Sequence, residues 1–261
     1  MRIAVCIKQV PNTTEVKINP KTNTLIREGV ESIINPFDMY AIEEAIRLKE
    51  KFNAETFAIT MGPPQAETAL KEAVSMGIDN PILISDRAFA GSDTWATSLT
   101  LAKAIEKIGN IDLIICGKQA SDGDTAQVGP GIAAHLDIPQ ATYVNHIKNI
   151  NLEERWIEVS RLLENGFEII RVELPALITV VKEINEPRTP SLKGKMRAKS
   201  IQIPVFTNKE LQIPENMVGL NGSPTQVVEI FTPSHKVGGK IFQGDPEVII
   251  DQFINEIKDI L

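Results

Sequence analysis

The chain has little of what many functional classes need. It carries two cysteines and three histidines in 261 residues, and His135, His146 and His235 are too scattered to form a zinc site. Cys6 and Cys116 each end an apolar run and read as small core residues with free thiols, not as a disulfide or a metal pair. No stretch approaches the ~20 apolar residues of a membrane span, and Met1-Arg2 leads straight into a strand pattern instead of a signal peptide. The expected setting is the cytoplasm. With a net charge of −7, nucleic acid is not the expected main partner. No Gly-x-Gly-x-x-Gly follows the first strand and no proton donor stands out, which counts against an ordinary NAD-dependent oxidoreductase.

What is present is an alternation. At 43% hydrophobic content the chain can bury one large core, or one core with appended arms. Arg2 to Lys8, Thr56 to Met61, Pro81 to Ser85 and Ile111 to Cys116 read as buried strands. Between them, Asn35-Pro36-Phe37-Asp38 opens a helix with an apolar face of Ala41, Ile42, Ala45, Ile46 and Leu48, and a second helix runs to Gly77, a C-cap glycine. Asp93 is placed to N-cap a third, through Leu99, Leu101, Ala102 and Ile105. Strands separated by helices imply right-handed crossovers and a doubly wound, mostly parallel sheet. Ligands of such sheets lie beyond the carboxyl ends of the strands, so the following turns should converge.

The most informative turn is Gly117 to Gly131, which carries Lys118, Gln119, Thr125 and Gln127 between a buried strand and a helix ending near Leu136. Glycines there allow close backbone approach, and a helix N-terminus attracts anions. A nucleotide phosphate is the natural occupant; an ordinary strand-to-helix loop is the alternative.

The second half changes character. Thr142 to Ile147, Trp156 to Leu163 and Phe167 to Leu174 read as consecutive strands, the last two joined by the turn Glu164-Asn165-Gly166, an Asn-Gly hairpin signal. Leu177 to Val181 reads as a further buried strand. From Asn185 onward the regular pattern stops and Pro, Lys, Arg and Ser dominate.

Several segments resemble the electron transfer flavoprotein beta subunits. They are Val5-Cys6-Ile7-Lys8-Gln9-Val10-Pro11, Asn35-Pro36-Phe37-Asp38, Met61-Gly62-Pro63, Gly117-Lys118-Gln119-Ala120, Val159 to Glu168, Leu174 to Val180 and Asn185-Glu186-Pro187-Arg188. The match covers essentially the whole chain; Asn165 stands where the family often has glycine. The resemblance implies a Rossmann-like nucleotide-binding domain over 1–184, a partner-recognition loop over 185–200, and a carboxyl-terminal arm and helix over 201–261. It implies a heterodimer with a flavin-carrying alpha subunit and an electron-carrier role. One-flavin members bind AMP in this subunit. Two-flavin, electron-bifurcating members bind FAD there and take hydride from NADH, serving a low-potential acceptor such as ferredoxin or flavodoxin and a flavin-dependent acyl-CoA or 2-hydroxy acid dehydrogenase.

Three segments resemble the bifurcating group: Ser121 to Pro130, where Gly123 and Thr125 replace bulkier or acidic residues; Asp86 to Thr94, which would border an isoalloxazine and a nicotinamide; and Gly222 to Val227 with Phe231-Thr232-Pro233. For the last two, an ordinary loop and a surface tether remain alternatives. The resulting cofactor set is Cys6 and Lys8; Asn35, Pro36, Phe37 and Asp38; Met61; Phe89, Asp93 and Thr94; Gly117, Lys118, Gln119, Ala120, Ser121, Asp122, Gly123, Asp124, Thr125, Gln127 and Val128; and Ser223, Pro224, Thr225 and Gln226. The flavin would supply the redox chemistry, so no side chain is expected to be catalytic. Asp122 and Asp124 would repel a phosphate unless they point away, so capping or ribose contacts are expected of them.

Pro187 to Lys199 carries five positive charges and no acidic residue. Charge alone fits a solvated loop equally well. The resemblance makes it the dehydrogenase-docking loop, with Leu192 as the anchoring leucine and Arg188, Lys193, Lys195 and Met196 around it. Ile250, Phe253, Ile254, Ile257 and Leu261 form an apolar stripe at helical spacing, open to packing on this chain or on the alpha subunit. A nucleotide-binding module without a redox role would explain the anion turn but not the basic leucine loop or the arm.

Overall fold

Ile, Val, Leu and Ala runs at the carboxyl side of each turn form strands buried on both faces, as parallel sheets require. The computed structural model describes residues 1–12, 18–19, 24–25, 32–228 and 238–258; the expectations for Phe231, Thr232, Pro233, His235 and Leu261 lie outside them. In chain order the elements are β1 (Arg2–Cys6), β2 (Gln9–Pro11), β3 (Ile18–Asn19), β4 (Thr24–Leu25), β5 (Ser32–Ile34), α1 (Pro36–Phe52), β6 (Glu55–Met61), α2 (Glu67–Met76), β7 (Asn80–Ile84), α3 (Thr94–Ile108), β8 (Leu113–Gly117) and α4 (Val128–Leu136). There follow β9 (Gln140–Asn151), β10 (Trp156–Leu163), β11 (Gly166–Glu173), β12 (Ala176–Val180), α5 (Leu192–Ser200), β13 (Val205–Phe206), α6 (Asn208–Leu211) and α7 (Pro246–Ile257).

Nine strands form one sheet in the order β11-β10-β9-β12-β8-β1-β6-β7-β13. From β9 through β12 to β13 neighbours run parallel, while β9, β10 and β11 are an antiparallel extension. The chain steps from β1 to β6 and β7 on one side, then returns to place β8 on the other. The sheet's switch point therefore lies between β1 and β8, and a crevice opens at their carboxyl ends. One core layer joins β1 to α1 and α2 through Val5, Ile42, Ala45 and Leu70. The other joins Ala4 and Ile114 to α3 and α4 through Leu101 and Ile132. Each fully buried Ile or Leu contributes about 1.5–3 kcal/mol.

The start and stop signals hold. Pro36 lies in the first turn of α1, Gly77 caps α2 and the Asp93 carboxylate accepts the Ala96 N–H ahead of α3. The β10–β11 hairpin pairs Leu163 with Gly166, so Glu164-Asn165 is the loop within the expected turn Glu164-Asn165-Gly166, and Gly166 is already the first residue of β11. Cys6 and Cys116 are buried free thiols, directly paired across β1 and β8.

The region after Asn185 is more regular than its composition suggested. The Ser191 hydroxyl accepts the Gly194 N–H at 3.0 Å and starts α5. Arg197 donates to the Ile78 carbonyl at 2.7 Å, and a Cβ on Gly194 would lie 2.0 Å from the Ser75 carbonyl oxygen. Helix α5 is thus held against the end of α2 by tertiary contacts that local sequence patterning does not display. No helix among the described residues is long and apolar enough to cross a membrane.

Candidate functional site

The first turn of α1 is the hub of the crevice. Asn35 is fully buried and does not cap its own helix. Its Nδ2 donates to the Gln119 carbonyl at 2.8 Å and its Oδ1 accepts the Ser121 N–H at 3.0 Å. One amide thereby satisfies both backbone polarities of the turn that follows β8. One helical turn on, the buried Asp38 carboxylate accepts the Lys8 N–H at 2.7 Å. Its other side presses on Gly117, where a Cβ would meet Asp38 Oδ1 at 2.3 Å and the Phe37 carbonyl carbon at 2.7 Å. Burial pushes the Asp38 carboxyl up to about 7, against the lowering pull of Asn35, Lys8 and Gly117. The glycine is needed here because helix and strand end touch.

The turn from Lys118 to Gln127 is half-buried at its start, exposed from Ser121 to Thr125, and internally braced. The Asp124 N–H donates to the Ala120 carbonyl at 2.9 Å, and Asp124 and Ala126 hold left-handed φ values of 48° and 54°. Asp122 forms an ion pair with Lys8 at 2.6 Å, and Gln119 donates to Asp124 at 2.7 Å. Neither aspartate caps a helix, since Gln127 precedes α4 and no side chain caps it; this corrects the capping expectation. Uncapped first-turn N–H groups suit an anion. The Lys118 ammonium stands over the rings of Phe37 and Tyr143, 5.7 and 5.1 Å from their centroids, and so is held by aromatics. Sequence reasoning missed Tyr143: it lies within β9 with φ 60°, and no local signal marks a strand residue that a distant lysine will cover. A Cβ on Gly129 would lie 2.7 Å from Thr179, so α4 packs closely over β12.

The loop after β7 and the arm close the other side. Thr94 donates to the Gln127 side chain at 3.0 Å. The Asp93 carboxylate accepts the Thr225 N–H and hydroxyl at 3.0 and 2.8 Å, and the Asp93 N–H donates to the Ser223 hydroxyl at 2.8 Å. Burial would raise the Asp93 carboxyl, but the Ala96 and Thr225 donors outweigh it and hold it below the usual range. A hollow of about 420 Å³ lies between Gly91-Ser92-Asp93 and Thr225-Gln226-Val227. A second, of about 320 Å³, is bordered by Arg87, Ala90 and Glu215. Phe89, expected at a cofactor, instead turns its ring into the core and is 5% exposed; an aromatic in this loop is worth more as packing than as a ligand wall. Met61 and Val128 likewise pack against that core layer.

The basic segment divides into anchors and free positions. Arg188, expected to face a partner, donates to Glu43 at 2.8 Å and to Glu50 at 2.6 Å and so fastens the segment to α1. Glu43 also binds Arg47 at 2.8 Å. Its burial is opposed by these guanidinium bonds, which hold its carboxyl below the usual range. Asn185 donates to Glu44 at 2.9 Å and to the Tyr40 carbonyl at 3.0 Å. Glu43 and Glu44 were not anticipated, although two acids next to Ala41-Ile42 on a helix bearing a core face are such a signal. Leu192 and Met196 are 78% and 66% exposed, and Lys193 and Lys195 are exposed beside them.

The family model described as the electron transfer flavoprotein domain matches residues 22–211. The chain is 50% identical to the electron transfer flavoprotein subunit beta of Thermoanaerobacterium thermosaccharolyticum, covering 98% of both chains. It is also 50% identical to the caffeyl-CoA reductase-Etf complex subunit CarD of Acetobacterium woodii, over 94% of this chain and 92% of that one. With Protein FixA of Azotobacter vinelandii it shares 47% identity over 89% of this chain and 84% of the relative.

Proposed function

The chain belongs to the electron transfer flavoprotein family as a beta subunit, and from that premise we propose that its crevice holds a whole FAD and that it draws electrons from NADH in the cytoplasm. In this reading the subunit works in a heterodimer with an alpha subunit that carries a second flavin. Electrons divide between a low-potential acceptor, of ferredoxin or flavodoxin type, and a partner flavin dehydrogenase reached through the alpha-subunit FAD. The bound flavin supplies the redox chemistry. The chain's own residues bind and orient it: the 117–127 turn and the start of α4 receive the diphosphate, and the first turn of α1 shapes the crevice floor. The exposed Leu192 and Met196, ringed by lysines, form the docking peg for the dehydrogenase.

The observation that carries the choice of FAD over AMP is the continuous rim made by Gln127, Thr94, Asp93 and Thr225. It extends past the phosphate turn to a hollow of about 420 Å³, which a mononucleotide would leave unused. The relative named as a subunit of a caffeyl-CoA reductase-Etf complex supports a dehydrogenase partner acting on an acyl-CoA. Purified with its alpha subunit, the complex should contain close to two flavins per heterodimer and be reduced by NADH. One flavin plus one AMP would reduce the role to that of a simple carrier.

A further inference from the structure

Cys6 and Cys116 lie at the carboxyl ends of β1 and β8, the two strands that flank the switch point, and no side-chain chemistry assigned above uses either thiol. The strands run parallel with these two residues in direct register, and both side chains enter the core layer beneath α3 and α4. Neighbouring strands lie about 4.8 Å apart, inside the Cα separation of about 4.4–6.8 Å that a disulfide spans. Both cysteines are free, and their thiols are hydrogen-bonded to one another. We propose that Cys6 and Cys116 are a redox modification site, at which hydrogen peroxide joins the two thiols in a disulfide across the crevice floor.

Access selects the oxidant. The two residues are 8% and 6% exposed, and the first turn of α4 lies over Cys116, whose Cβ is 3.7 Å from where a Cβ on Gly129 would stand. Peroxide suits so narrow an opening better than a peptide-sized disulfide does. The pair also has an order of attack. The hydrogen bond to Cys6, burial and the nearby Asp38 charge keep the Cys116 thiol well above its ordinary value, and the thiolate is the nucleophile. Cys6 therefore reacts first: its sulfur attacks one peroxide oxygen, the O–O bond breaks, and a sulfenic acid and water form. The Cys116 sulfur then attacks the Cys6 sulfur. The S–S bond forms, the S–O bond breaks, and the hydroxyl leaves as water with the Cys116 proton. Two thiols and one peroxide thus give one disulfide and two waters, with two electrons passing from sulfur to oxygen. The chain has only these two cysteines, so no other intramolecular pairing competes. In a reducing compartment the disulfide is transient, because cellular thiols return the pair to its free form.

The test exposes the folded full chain to hydrogen peroxide at neutral pH, alkylates the remaining thiols in denaturant, and reads the intact mass and a non-reduced peptide map. Wild type should lose two hydrogens, retain no alkylatable thiol, yield a linked Cys6–Cys116 peptide, and recover both thiols on treatment with dithiothreitol. Cys116→Ser should stop at a sulfenic acid on Cys6, captured by dimedone, while Cys6→Ser should stay unmodified under the same exposure. Wild type that keeps both thiols, that carries a lasting oxygen adduct on Cys6 without the linkage, or that forms a disulfide only between two chains would overturn the proposal. Should either serine variant not fold, the wild-type mass and peptide map decide the matter. No nucleotide enters these measurements, so their outcome is independent of the ligand assigned to the crevice.

Discussion

Asn35 joins the first turn of α1 to the turn after β8 through a single side chain, donating to the Gln119 carbonyl and accepting the Ser121 N–H. Asn35 is fully buried, whereas Gln119 is half-buried and Ser121 exposed, so removing the amide loses two hydrogen bonds and leaves their backbone partners to water. A net hydrogen bond contributes about 0.5–1.5 kcal/mol. Asn35→Ala should therefore destabilise the chain by roughly 1–3 kcal/mol in urea unfolding and lower nucleotide occupancy after purification. Asn35→Asp keeps an acceptor but loses the donor, and should recover part of the stability.

Gly117 and Gly123 lie six positions apart in the same turn region and should respond to alanine very differently. At Gly117 the new methyl would meet Asp38 Oδ1 at 2.3 Å and the Asp38 nitrogen at 2.8 Å, whereas at Gly123 nothing lies within 4 Å. Overpacking of the first kind costs about 1–3 kcal/mol; an open surface position changes stability by about 0.5 kcal/mol or less. Thermal unfolding of the two variants provides the comparison.

Much of this was legible in the residues. Apolar runs, Pro36, Gly77 and Asp93 place the strands and helix ends because those signals act locally. The crevice was legible too, since topology alone sends the turns after β1 and β8 to one rim. The partners within it were not. Nothing near Lys8 announces Asp122, 114 residues away, and nothing near Asn35 announces Ser121. Helix α5 was missed for the same reason: its seat on Ser75 and Ile78 exists only once α2 is formed.

Arg188 and Glu43 make a pH-dependent fastening. Glu43 has its folded-state carboxyl lowered, so the stability it contributes is present above its unfolded value, near 4.3, and is lost as pH falls through the folded one. Arg188→Ala should cost about 2–4 kcal/mol near pH 7, since Glu43 stays buried with Arg47 as its remaining partner. The gap from wild type should narrow toward pH 3. Urea midpoints at the two pH values test this, and a gap independent of pH would contradict it.

Leu192 is exposed and makes no contribution to the core. Leu192→Ala should leave urea stability within about 0.5 kcal/mol of wild type and NADH oxidation by the heterodimer unchanged, while slowing electron delivery to the dehydrogenase by tenfold or more, as for a hot spot worth about 2 kcal/mol. Gly194→Ala is the structural control. Its methyl would strike the Ser75 carbonyl, so it should unseat α5 and lower stability as well as transfer.

The arm is joined to the nucleotide rim through Asp93, which both caps α3 and receives Thr225. Substituting Asp93 would confuse the two duties, because losing the cap alone costs about 1 kcal/mol. Thr225→Val separates them: it removes the hydroxyl donor at 2.8 Å and leaves the Thr225 N–H bond and the cap in place. A bond to a carboxylate is worth about 1.5–3 kcal/mol, and one near the lower figure corresponds to roughly tenfold in affinity. If the arm completes a site longer than a mononucleotide, Thr225→Val should weaken FAD retention by about that factor and leave AMP binding unchanged. If the crevice ends at the phosphate turn, both ligands should be indifferent to the substitution. Flavin released on gel filtration, measured against AMP retained by the same preparation, distinguishes the two outcomes.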